Sequence, residues 1–383
     1  MIYFDNAATT LQKPPEVARA ITDALGNFGG VGRGVHPASI QAGLAVYEAR
    51  AAVSQLLGAP GPERVSFALN ATMALNIAIE GLLPDGGKAV TTAASHNSVL
   101  RPLHKARDAR GCAVEVVPVD DGGALDYDAF AHACEGASLV AVTHASNLTG
   151  DVYDATRMAK AAHAAGALLV LDAAQTAGAV PVDMGALGAD VVCFTGHKSL
   201  LGPQGTGGLC VAAGVDVPPL LEGGSGTHSF DERHPRFMPE ALEAGTLNAH
   251  GLAGLAAGVA YLQRRGVADV AAHEARLVAR FVDGLRAVEG ARVLGGGSDA
   301  GHCGIVAFNL GSADSAGVAD RLASEWGICT RAGAHCAPLM HQALGTEAQG
   351  AVRVSFGPFN TEGEVDACLE AVEVIAHDVS RGR

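Results

Sequence analysis

Between residues 65 and 212 short apolar runs alternate with amphipathic stretches. The runs VSFAL, KAVTT, VEVVPV, SLVAVTH, ALLVLD, DVVCF and GGLCVA are too uniformly apolar for strands wetted on one face, so they predict a sheet covered on both sides. Between them, ATMALNIAIEGLL, YDAFAHAC and TRMAKAAHAAG carry helical spacing with capping residues at their ends. Strands alternating with helices predict an α/β fold: a mostly parallel sheet, right-handed crossovers, and ligands at the C-terminal edge of the strands.

After Gly226 the texture changes to the polar, irregular THSFDERHPRFMPE and then to the apolar helix around AHGLAGLAAGVAYL. A long helix (ADVAAHEARLVARFVDGLRAVEG), two short strands (GIVAFNL, AVRVSFG) and two more helices (SAGVADRLASEW, EGEVDACLEAVEVIAHDV) follow, which together predict a smaller α+β unit. The expected organisation is an N-terminal arm (1–15) packed on the active site and small domain, a large domain (16–252) and a small C-terminal domain (253–383).

A chain of 383 residues with 49% hydrophobic and 17% charged residues buries a sizeable core. A net charge of −14 and only 4% aromatic residues argue against nucleic acid or anionic membrane as partner and favour a small molecule. The start, MIYFDNAATT, lacks a basic n-region and carries Asp5 inside its apolar stretch, so it does not read as a secretory signal. The longest apolar run ends at Gln263 and is shorter than the roughly 18 residues a membrane helix needs. These features predict a cytoplasmic protein.

The 8 cysteines are scattered without a CxxC pair or metal-ligand spacing. Cys193, Cys210 and Cys329 fall in apolar runs and read as core residues. Cys336 differs: RAGAHCAPL sets it among small residues, an arginine, a histidine and a proline. It is either an ordinary loop cysteine or a displayed thiol.

Three further positions carry candidate chemistry. Asp172 closes the buried run LLVLD, where a carboxylate either faces a cation or caps the following turn. Lys198, in FTGHKSLLGPQGTGGL, is either a solvated charge or an amine at a strand mouth. An aldehyde-bearing cofactor needs a lysine for a Schiff base and an acid at its pyridinium nitrogen, and pyridoxal phosphate requires both. Thr72 in LNATMALN opens a helix whose first-turn N–H groups form an anion site, or it is simply a cap.

Taken in order, HNSVLRPL, THASNLTG, LVLDAAQ, FTGHKSLLGPQGTGGL, EAGTLN and RAGAHCAPL resemble the class V aminotransferase group of pyridoxal phosphate enzymes, of fold type I. More closely they are similar to group II cysteine desulfurases, some of which also act on selenocysteine. The likeness runs from YFDNAATT to VRVSFGPFNT. It implies that Lys198 holds the cofactor and shuttles a proton at the substrate Cα, that Asp172 pairs with the ring nitrogen, and that Gln175 and Asn147 lie by the phenolic oxygen. His96 would stack on the ring; Ala71, Thr72, Thr195 and His197 would hold the phosphate. Thr246 would reach the phosphate of a neighbouring subunit in a homodimer.

The resemblance further implies that Arg353, in a strand, takes the substrate carboxylate, the alternative being a structural ion pair. Asn147, Arg331 and His36 would lie beside the substrate; Arg33 and His36 match a stretch that lines the site, without a firm role. L-cysteine would become L-alanine while Cys336, with Arg331 and His335 favouring its thiolate, takes the sulfur as a persulfide and passes it to an acceptor protein. Iron–sulfur cluster assembly and thionucleoside synthesis are both destinations for that sulfur. A selenocysteine lyase, another class V lyase or transaminase, and a noncatalytic sulfur-transfer scaffold are the competing readings. One feature departs from the family: Ser95 stands where many relatives carry an acid before the histidine; the loop before Cys336 is short, as in the group II enzymes, whereas group I enzymes carry a longer one.

Overall fold

The computed structural model describes residues 1–32, 34–298 and 300–381. The first part of the chain runs β1 (Ile2–Tyr3), α1 (Pro15–Asn27), α2 (Pro37–Leu57), β2 (Val65–Ala68), α3 (Ala71–Leu82), β3 (Lys88–Thr92), α4 (Asn97–Arg110) and β4 (Ala113–Val117). It continues through α5 (Tyr127–Ala133), β5 (Leu139–Thr143), α6 (Ala155–Ala164), β6 (Leu168–Asp172), α7 (Met184–Leu187), β7 (Val191–Thr195) and β8 (Gly207–Val211). Strands β2 to β8 form one sheet in the order β2-β8-β7-β6-β5-β3-β4. Strands β3 to β7 pair in parallel, and β8 runs antiparallel between β7 and β2.

Every one of the seven apolar runs is a strand of this sheet, and burial explains why they lack alternation. In β5, Val140 and Val142 enter the core on one face, while Leu139 and Ala141 enter the core on the other. Helices cover both faces of the central strands, so successive side chains there meet protein rather than water, whereas β4 at the sheet edge leaves Ala113 and Glu115 exposed. Cys193 and Cys210 are buried there as expected, and Cys329 is half-buried.

The remaining elements are α8 (Ala249–Arg265), α9 (Val267–Ala287), β9 (Ala291–Leu294), β10 (Ile305–Leu310), α10 (Ser315–Trp326), β11 (Ile328–Cys329), β12 (Arg331–Gly333), α11 (Pro338–Leu344), β13 (Ala351–Ser355) and α12 (Glu362–Ser380). An antiparallel sheet of order β12-β13-β10-β9 carries a separate core of Phe281, Phe308, Val354, Val372 and Ile375. The first residues join this unit: β1 pairs in parallel with β11, and Asp5 bridges to Ser355.

The expected domain boundary at 252–253 falls inside α8, which packs along α1 and α2. A division at Gly266 follows the helix ends, because this residue has φ 85° and separates α8 from α9. Among the described residues no helix is long and apolar enough to cross a membrane.

Candidate active site

Parallel pairing sets the site. Because Thr143 lies opposite Asp172, and Asp172 opposite Cys193, strands β5, β6 and β7 end side by side. The segments leaving them carry Asn147, Gln175, His197 and Lys198 to one edge of the sheet. The N-termini of α3 and α4 bring Ala71, Thr72, His96 and Ser98 to the same place. All of these line one cavity with Thr143, Asp172 and Thr195.

Asp172 is buried, and its Oδ1 accepts the N–H of Ala174 at 3.0 Å. Burial raises its pKa, while the Ala174 N–H, the Lys198 charge and the Thr143 hydroxyl pull it down. Lys198 is pushed down to about 8, by burial first and by the positive charge of Arg353 next, with Asp172 opposing. The pairing expected of these two residues is thus electrostatic as well as positional.

His96 caps α4: its Nδ1 accepts the backbone N–H of Ser98 at 3.0 Å. Burial, then Lys198 and Arg331, lower its pKa to about 4, so the ring is neutral at physiological pH. Thr143 joins this histidine to the buried acid, its hydroxyl donating to Asp172 at 3.4 Å and accepting the His96 N–H at 3.2 Å. Asn70 rather than Thr72 caps α3, by accepting the N–H of Met73. Thr72 stands in the first turn of that helix, where its N–H has no intrahelical partner.

Several buried polar atoms here have no partner among the described residues: Thr195 Oγ1, His197 Nδ1 and Asn147 Oδ1. Such atoms are costly unless a ligand satisfies them. With a depressed amine, a buried carboxylate and an open helix N-terminus, they fit pyridoxal phosphate: amine to aldehyde, acid to ring nitrogen, and hydroxyl, imidazole and backbone N–H groups to phosphate.

The N-terminal arm holds the Lys198 loop. The carbonyl of His197 accepts from the N–H of Thr10 at 3.1 Å and from Lys13 at 3.3 Å. Lys13 also donates to the Thr10 hydroxyl. The Gln175 amide reaches Ala7 O at 3.2 Å.

Arg353 is buried in β13. Its Nη1 donates to Asn147 O at 2.8 Å, its Nη2 pairs with Asp5 at 2.9 Å, and its Nε has no partner among the described residues. The structural ion pair weighed as the alternative is therefore present, and a free N–H remains beside it. Arg331 lies directly opposite Arg353 in the sheet.

Cys336 is exposed. Both His335 (φ 51°) and Cys336 (φ 56°) adopt left-handed backbone, a conformation costing about 1 kcal/mol or more for such residues. Two hydrogen bonds hold it: Asn147 Nδ2 to His335 O at 2.6 Å and Asn97 N–H to Cys336 O at 2.9 Å. His335 does not supply the positive charge expected of it. It is buried against His341 and its pKa falls to about 3, chiefly through burial, so it is neutral.

Two expected site residues stand elsewhere within this chain. His36 is exposed and caps α2 through the N–H of Ser39. Thr246 is exposed and lines a different cavity with Val46 and Arg50 of α2. Arg33 lies outside the described residues.

The sequence family described as aminotransferase class-V matches residues 2–368. The chain is 34% identical to a cysteine desulfurase of Haloferax volcanii, over 97% of this chain and 89% of that protein. It superimposes with a TM-score of 0.93 on an apo cysteine desulfurase from Thermococcus onnurineus NA1, at 36% identity and covering 98% and 95% of the two chains. The cysteine desulfurase CsdA (S-sulfonic acid) from Escherichia coli gives a TM-score of 0.88 at 29% identity, covering 98% and 94%. By sequence and by structure, the chain belongs to the aminotransferase class-V family.

Proposed function

We propose that this protein is a pyridoxal phosphate-dependent cysteine desulfurase that converts L-cysteine to L-alanine and takes the sulfur onto Cys336. One observation carries the reading: the carbonyl of exposed Cys336 accepts from Asn97, and that of His335 before it accepts from Asn147, which lines the cavity holding Lys198 and Asp172. Pyridoxal phosphate, when bound, supplies an electron sink that acidifies the substrate Cα–H and weakens the bond from Cβ to sulfur.

The chain's own residues do the rest. From its buried position Asp172 would hold the ring nitrogen protonated, and neutral His96, lining the same cavity, would pack against the cofactor. Lys198 moves the proton at the substrate Cα. Arg353 holds the substrate carboxylate through its free N–H. The Cys336 thiolate attacks the substrate sulfur: an S–S bond forms, the Cβ–S bond breaks, and proton uptake completes alanine. L-cysteine and enzyme thiol thereby yield L-alanine and enzyme persulfide, which an acceptor protein then receives.

A homodimer is supported by an exposed apolar stripe on α2, Ile40, Leu44 and Tyr47, beside exposed Leu25 and Val35. Thr246 shares a cavity with α2, which suits its reaching a neighbouring subunit.

The test is to load the protein with pyridoxal phosphate, record the absorbance of the lysine-bound cofactor, add L-cysteine and measure alanine and persulfide. Cys336→Ala is expected to keep the absorbance and lose alanine formation. Sulfide release at the wild-type rate from that variant would sink the persulfide route, and failure to bind cofactor would sink the enzyme.

A further inference from the structure

Ser98 sits in the first turn of α4 and joins two parts of the site that no covalent path connects closely. Its hydroxyl is 2.8 Å from Thr72 Oγ1 on α3 and 2.9 Å from His96 Nδ1. Its backbone N–H also donates to the same Nδ1. A backbone N–H is always a donor, so Nδ1 is an acceptor and the ring proton of neutral His96 is on Nε2. The low pKa of His96 keeps it in that form across the physiological range.

We propose that Ser98 is a positioning residue that transmits occupancy of the phosphate site to the imidazole of His96 through the hydroxyl chain Thr72–Ser98–His96. The inference rests on the reading above, in which Thr72 holds phosphate and His96 lies over the cofactor ring. Each hydroxyl has one proton to give and accepts through its lone pairs. Without phosphate, Thr72 donates to Ser98 and Ser98 donates to His96. A phosphate takes the Thr72 proton because its oxygens are the stronger acceptors. Ser98 then donates to Thr72, and His96 Nδ1 is left with the backbone N–H alone. Phosphate binding therefore removes one of two donors from Nδ1 and leaves that nitrogen held by the Ser98 N–H alone. No bond breaks and no proton leaves its own oxygen; two hydroxyls rotate.

The full-length chain, labelled with 15N in its histidines, is loaded with pyridoxal phosphate, with pyridoxal, and with pyridoxal plus inorganic phosphate. The His96 Nδ1 resonance is assigned by its loss in His96→Gln. In wild type, the forms containing phosphate are expected to show Nδ1 downfield of its position with pyridoxal alone. That displacement is expected to vanish in Ser98→Ala and return in Ser98→Thr, which restores the hydroxyl. An undiminished displacement in Ser98→Ala, or none in wild type while titration shows phosphate bound, overturns the relay. Phosphate binding is measured separately in Thr72→Val; if it is as tight as in wild type, phosphate lies elsewhere and the relay fails together with that placement.

Discussion

The carbonyl of Cys336 accepts the backbone N–H of Asn97, the residue after His96, at 2.9 Å. This bond fixes the exposed cysteine to the helix whose cap is His96. It also opposes the pull of a left-handed backbone toward ordinary conformations. Asn97 is the first residue of α4, and His96 before it is extended at φ −67° and ψ 155°. Proline suits that position and tolerates that neighbour, yet has no N–H. Asn97→Pro should keep the fold, with stability changed by no more than about 1 kcal/mol. Persulfide formation on Cys336, followed by mass spectrometry, should fall about tenfold, while the cofactor absorbance stays. Unchanged persulfide formation would show that the anchor is dispensable.

Lys198 sets a pH dependence with a definite sign. Its pKa is lowered from 10.5 to about 8, so between these values the unfolded chain binds the extra proton and this group's contribution to stability rises with pH. Capture of an aldehyde requires the neutral amine. The rate at which the apo protein takes up pyridoxal phosphate should therefore rise about tenfold per pH unit below 8 and flatten above it. Asp172 raises the Lys198 pKa and Arg353 lowers it. Asp172→Asn should move the midpoint to lower pH and Arg353→Met to higher pH, as read by stopped-flow absorbance. A midpoint near 10 in the wild type would place Lys198 in water.

The pair Arg353–Asp5 joins residues 348 positions apart and compensates a charge buried in β13. Asp5→Asn keeps the shape but leaves the guanidinium without its counter-ion, a loss of about 3 kcal/mol. A ligand carboxylate at Arg353 should restore part of it. In thermal unfolding of the cofactor-loaded enzyme, L-alanine should raise Tm more in Asp5→Asn than in wild type. Equal shifts in both would remove Arg353 from the substrate site.

How much of this was legible in the sequence follows from how far each signal travels along the chain. The central strands were readable because burial on both faces writes a mainly apolar run into each. Lys198 and Asp172 were readable because a charge closing such a run needs a reason. The antiparallel placement of β8 between β7 and β2 was not, since apolar runs carry no direction. Thr143, Asn97 and Ser98 are small polar residues whose roles come from partners on other elements: Asp172 on β6, Cys336 after β12, Thr72 on α3. His335 was misread for the same reason, because proximity in RAGAHCAPL says nothing of which side chain turns inward. His36 and Thr246 match the family motif yet are not among the residues that line this chain's own cavity.

Glu274 gives a test of opposite sign. It is buried in α9 beside Cys303, and lines a small cavity with Gln175 and Asn6. Burial lifts its pKa to about 8, against the pull of the Gly304 N–H and the Arg265 charge. Because the folded value lies above the unfolded one, its contribution is fully present below about 4.5 and is lost as pH rises through 8. Gln is the isostere of the protonated acid. Glu274→Gln should therefore match the wild type near pH 5 and exceed it increasingly toward pH 9, by on the order of a few kcal/mol in denaturant unfolding. The five histidines whose pKa burial lowers, His96, His144, His197, His335 and His341, weaken both proteins alike as pH falls below 6.5 and so cancel in the difference. A gap of constant size at every pH would mean that packing, and not ionisation of Glu274, separates the two.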